Sequence, residues 1–145
     1  MGAMAPRAFR LSVPLAAALA LTACGAKLPF AASGRIVDVT ERDFSIKVSS
    51  SRLAPGTVVF RVVNRGPDAH ELIIIRDPHP ELPLRSDGIT VSEERLEHQT
   101  VGVLEPGDPG SVREVRVKLQ KGRYVLICNM SGHFMGGMHA VVNVE

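Results

Sequence analysis

The sequence predicts an all-β fold over residues 34–145, a Greek-key β-sandwich of about seven or eight strands with a short helix in an insertion. Three observations predict it. Short segments repeatedly alternate apolar and polar residues, the period-two signature of strands with one face in a core. Turn-forming clusters separate them, drawn from 13 Gly and 10 Pro, and the many Val and Ile favour strands over helices. Only one segment carries a helical start signal. With no Trp and one Tyr, the core must rest on Val, Ile, Leu and five Phe. A chain of 145 residues can bury such a core without disulfide or metal staples.

Residues 34–40 (GRIVDVT) and 43–49 (DFSIKVS) read as neighbouring strands joined by a turn at Glu41-Arg42. Residues 53–56 (LAPG) form a turn and 57–64 (TVVFRVVN) a third strand. The run Asn64-Arg65-Gly66-Pro67-Asp68 is dense in turn residues. After it, His70 precedes the apolar run 72–75 (LIII), long enough for one strand buried on both faces. Residues 77–100 interrupt the rhythm. Pro78, Pro80 and Pro83 argue against a central strand, while 92–98 (SEERLEH) begins with an N-cap residue and good helix formers. This is expected to be a surface insertion with a short helix. Residues 101–104 give a brief strand and 106–110 a turn. In 111–119 (SVREVRVKL) the apolar phase slips after Val112, the mark of a bulge. Lys121-Gly122 turns the chain into 123–129 (RYVLICN), and residues 140–144 close the domain.

The first 33 residues read as an address rather than as fold. Arg7 and Arg10 precede a thirteen-residue apolar run, 11–23, the order of a secretory signal. The run is too short to span a bilayer, which takes about 20 residues. It ends in Leu21-Thr22-Ala23-Cys24, which resembles a bacterial lipobox in which the Cys becomes the lipid-modified first residue. The expected organisation is a cleaved signal peptide over 1–23, a lipid-anchored tether over 24–33 beginning at Cys24, and the domain over 34–145. The formal charge of +2 then leaves with Arg7 and Arg10, and the mature chain, balanced in acids and bases, has no electrostatic footprint for nucleic acid. A lipid on Cys24 leaves Cys128 a lone thiol in an oxidising compartment, where metal ligation removes the liability of a free thiol.

The stretch CNMSGHFMGGM carries Cys128, His133 and Met138 at one even spacing. Two imidazoles and a thiolate with a weak axial thioether form the ligand set of blue-copper electron-transfer sites. One further imidazole is needed, and His70, placed just after a turn at the head of an apolar strand, is the candidate; two strands of a sandwich can bring their ends to one pole. Such a set suits both Cu(I), which favours sulfur, and Cu(II), which favours imidazole. Zinc is the nearest rival metal but does not ordinarily recruit Met. A Cys128 nucleophile with His133 as base lacks an evident orienting group. Met130, Phe134 and Met135 are expected to form an apolar collar around His133, and His79 and His98 to be solvated.

The pattern Asn64-x-Gly66, His70, then Gly122-x-Tyr124-x-x-x-Cys128-x4-His133-x4-Met138 resembles the cupredoxins of the plastocyanin and azurin type. The resemblance implies His70, Cys128 and His133 as the strong ligands of one copper per chain, cycling between Cu(I) and Cu(II), with Met138 axial. Glu71 stands where well-known members often have Asn, and Ser131 where many have Pro. The implied function is that of a one-electron carrier rather than an enzyme: an exported monomer, tethered by lipid to a bacterial membrane, facing the periplasm or cell exterior and meeting redox protein partners transiently. Copper storage or delivery to an oxidase is the alternative, and a metal-free adhesion or interaction sandwich a third reading.

Overall fold

The computed structural model describes residues 1–2, 34–76 and 81–145. The expected signal peptide, Cys24, the tether and His79 lie outside the described residues. The described chain forms two sheets packed face to face. One contains β1 (Arg35–Arg42), β2 (Ser45–Val48), β4 (Gly56–Asn64) and β7 (Val112–Leu119) in the order β2-β1-β4-β7. The other contains β3 (Arg52–Leu53), β5 (His70–Arg76), β6 (Thr100–Gly107), β8 (Gly122–Ile127) and β9 (His139–Val144) in the order β3-β9-β8-β5-β6. The chain crosses between sheets after β2, β3, β4, β6 and β7, the connectivity of a Greek key.

Alternation decides which residues enter the core. Val37, Val39, Val58, Phe60, Val62, Val117 and Leu119 point inward from the first sheet. They meet Leu72, Ile74, Tyr124, Leu126 and Val142 from the second. The intervening residues Ile73, Ile75, Val125 and Ile127 bury the opposite face of that sheet against Val91 and Leu96, with Leu82 and Leu84 beside them. The described part of the surface insertion therefore covers this face of the sheet. Strands β5 and β8 are apolar on successive residues because both of their faces are covered.

Several local expectations need correction. Strand β1 runs on to Arg42, and the hairpin turns at Asp43-Phe44, two residues beyond the expected place, with Arg42 paired to Ser45. Strand β6 extends through Pro106, which is tolerated because β6 is an edge strand. Residues 52–53 pair with β9 before the turn. The expected bulge in β7 is absent: its register with β4 runs unbroken from Leu119 to Val112. The phase slip has another cause. Arg113 takes an inward position to meet Glu41, which is fully buried, at 2.7 Å. The helix α1 (Glu93–Leu96) starts at Ser92, whose hydroxyl makes no capping bond.

Candidate metal centre

His70 is the first residue of β5, and the turn before it is organised by Asn64. This buried amide accepts from the Gly66 N–H at 2.8 Å and donates to the carbonyls of Asp68 (2.7 Å) and Gly107 (3.0 Å). It therefore satisfies the turn and ties it to β6. Gly66 is required for space: a Cβ there would lie 2.6 Å from His70 Nε2 and 2.7 Å from Asp43 Oδ1. Replacing Asn64 by Ala is expected to destabilise the apoprotein by about 2–3 kcal/mol, because buried backbone groups lose their partners. Urea denaturation measures this, and an unchanged midpoint would remove Asn64 from the role.

Cys128 follows β8 directly, and the next ten residues fold back as tight turns. The Cys128 N–H donates to the Met138 carbonyl at 3.1 Å, the His133 N–H to Met130 at 2.8 Å and the Met138 N–H to His133 at 2.9 Å. Gly132 and Gly137 adopt φ of 80° and 103°, the left-handed region that these reversals use and that a side chain would strain. The loop thereby holds the backbones of Cys128, His133 and Met138 to one another.

Among the described residues, His70, Cys128 and His133 form a group whose potential ligand atoms all lie within 4.8 Å of one another. Cys128 Sγ is 3.5 Å from His133 Nδ1, and the two imidazole centroids are 5.1 Å apart. His70, Cys128 and Met138 are fully buried, whereas His133 is partly exposed. Met138 packs in the main core cluster together with Cys128.

Electrostatics suit a cation. Burial lowers the His70 pKa, as does the neighbouring His133, while Asp43 opposes the shift; the ring is therefore biased toward its neutral form, which carries a free lone pair. Its Nδ1 is buried without a hydrogen-bond partner. Burial also raises the Cys128 thiol pKa, with the backbone amides of Glu71 and Met130 acting in the opposite sense. Such a thiol waits as S–H and releases a proton when a metal takes its place. One soft sulfur and two imidazoles brought this close together fit a borderline or soft transition metal.

Two residues that the sequence did not single out hold this group together. Asn129, beside Cys128, accepts from the Val91 N–H at 2.6 Å and donates to the Val91 carbonyl at 3.0 Å and to Glu93 at 2.8 Å. Its own N–H donates to the Glu71 carboxylate at 3.1 Å. Glu71 thus bridges the residue next to His70 to the residue next to Cys128. Burial, and then the Glu93 charge, raise its pKa. The other missed residue is Phe44, whose ring meets His133 at 5.6 Å and 68°.

The collar is only partly as expected. Met135 is 54% exposed beside the centre, but Met130 packs toward the main core and Phe134 against the insertion cluster. His98 is exposed, and His139 packs on Phe134 at 5.7 Å.

No protein-family model and no curated protein matches the sequence. Solved structures do. Auracyanin from Roseiflexus castenholzii superposes with a TM-score of 0.56 at 16% identity, covering 78% of this chain and 98% of that one. Auracyanin A, a blue copper protein from Chloroflexus aurantiacus, gives 0.59 at 14%, covering 78% and 100%. Rusticyanin from Thiobacillus ferrooxidans gives 0.55 at 17%, covering 78% and 79%. At these identities the likeness assigns the fold.

Proposed function

We propose, from the premise that this chain has the cupredoxin fold, that it holds one copper ion through His70, Cys128 and His133, with Met138 as the weak axial ligand, and serves as a one-electron carrier. The observation that carries the reading is the convergence of one ligand atom each from His70, Cys128 and His133 within 4.8 Å, with His70 Nδ1 buried and unpartnered. Copper bound there would supply a one-electron couple between Cu(I) and Cu(II).

The protein's own residues do the rest. His70 and Cys128 approach from adjacent strands, and Asn64 and Asn129 restrain the turns on either side of them, so the donors are preorganised rather than gathered by the ion. Burial excludes water from Cys128 and Met138. His133 is the partly exposed member, and with Phe44 and Met135 it offers a small apolar surface for brief contact with a redox partner. This supports a carrier more than an enzyme. The export signal and the Cys24 lipobox extend the reading to a lipid-tethered monomer facing the periplasm or cell exterior. A tether raises the effective concentration near membrane-associated partners.

The test is the optical spectrum of the copper-loaded protein through repeated reduction and oxidation. An intense thiolate-to-Cu(II) band that bleaches with reductant and returns undiminished is the expected result. Absence of the band would count against the copper reading. Metal loss on each reduction, with rapid transfer to an apo-acceptor, would favour copper delivery instead.

A further inference from the structure

The β1–β2 hairpin supplies none of the proposed ligands, yet its two turn residues touch both imidazoles. Asp43 Oδ1 lies 3.1 Å from His70 Nε2, an ion-pair contact between two buried atoms that have no hydrogen-bond partner. The next residue, Phe44, sets its ring edge-on to His133 at 5.6 Å and lies over Gly136, where any Cβ would collide with the ring.

Phe44 is in a costly state twice over. Its φ is 58°, and it is the one described non-glycine residue with positive φ. A bulky side chain is a genuine outlier there, and a two-residue hairpin turn ordinarily places Gly or Asn at such a position. Its ring is also 54% exposed, so core burial does not offset the strain. Strain of this kind persists only where the surroundings enforce it, and the surroundings here are His133 and the Gly136-Gly137 corner of the ligand loop.

We propose that the Asp43-Phe44 turn is a positioning element for both imidazoles. Asp43 holds the His70 proton on Nε2, leaving the Nδ1 lone pair free for the ion. Phe44 clamps the His133 ring and the loop corner beneath it. The inference rests on the copper reading for its consequence, but its geometry belongs to the apoprotein and is tested there.

In ¹⁵N-labelled apoprotein at mildly alkaline pH, His70 is expected to be the Nε2–H tautomer. Asp43→Ala should give a tautomer mixture, and Asp43→Asn, whose amide oxygen still accepts, should restore the wild-type signal. With cupric sulfate as the probe, Asp43→Ala should weaken binding by about 10- to 100-fold, the usual effect of removing a partner behind a ligand. Phe44→Gly separates positioning from a merely structural role. Glycine relieves the φ strain, so apoprotein stability should hold or rise, while His133 resonances broaden and Cu(II) dissociates about 10-fold faster. Wild-type tautomer and affinity in Asp43→Ala, or wild-type dissociation in Phe44→Gly, would overturn the proposal even where the wild-type protein gives the thiolate band. A missing band with the expected apoprotein tautomers would instead fault the copper reading alone.

Discussion

Arg113→Met is expected to destabilise the apoprotein by about 3–5 kcal/mol near pH 8 and by much less near pH 5. The reason is Glu41, fully buried at the end of β1 and paired with Arg113 at 2.7 Å, with its second oxygen unpartnered. Desolvation outweighs the attraction of the guanidinium and raises the Glu41 pKa from 4.5 to about 7. The sign follows from proton counting. Between 4.5 and about 7 the folded protein holds a proton on Glu41 that the unfolded chain has released, so stability falls as pH rises through that window. The full effect is about 3 kcal/mol, present above the folded pKa and absent below 4.5. Without Arg113 the carboxylate is buried unpaired at high pH, whereas at low pH it is protonated and the loss matters less. Urea midpoints across this range should fall less steeply in Glu41→Gln than in wild type; this comparison isolates Glu41 from Glu71, whose pKa is also raised. Parallel wild-type and Glu41→Gln profiles would refute the account. The double variant Glu41→Leu/Arg113→Met should recover most of the stability lost by Arg113→Met, since an apolar pair avoids the desolvation of two charges.

Cys128→Ser is expected to eliminate the thiolate-to-Cu(II) band completely and to weaken copper binding by about 70- to 900-fold. The magnitude follows if an apparent ~10–16 kcal/mol for a four-ligand site is shared roughly evenly. Serine is nearly isosteric but is a far poorer, harder donor for a soft ion. Cys128 is fully buried in the main core, so the hydroxyl should also cost the apoprotein about 1–3 kcal/mol. Cys128→Ala separates the two effects. It should abolish the band equally while avoiding a buried hydroxyl. Spectrophotometric copper titration alongside denaturation reads both quantities, and a persisting intense band in either variant would exclude Cys128 as the thiolate.

Much of this architecture can be read from the residues because alternation and turn chemistry agree. TVVFRVVN and RYVLICN are strands in the protein much as their patterns predict. His70 and Cys128 meet because their strands, β5 and β8, are neighbours. The failures share a cause: contacts with distant partners that a local pattern cannot encode. An inward Arg113 looks like a slipped register until Glu41, 72 residues away, is seen beside it. The hairpin turn at Asp43-Phe44 carries no Gly or Asn, since its backbone is held from outside by the ligand loop. Residues 81–99 form the expected surface insertion with its short helix, but that Leu82, Leu84, Val91 and Leu96 cover a sheet face is not legible locally, because they follow no single period. Glu71 and Asn129 are common polar residues whose bond to each other requires the strand pairing first.

The double bond between Asn129 and Val91, with Glu93 adding a third, has a thermodynamic meaning beyond geometry. It makes the ligand loop and the insertion one cooperative unit, because neither can open without exposing buried polar groups of the other. The entropy of ordering both segments is therefore incurred when the domain folds rather than when the ion arrives. An ion that enters a frame already ordered has little to rearrange, and the same frame gives it little to rearrange when its charge changes.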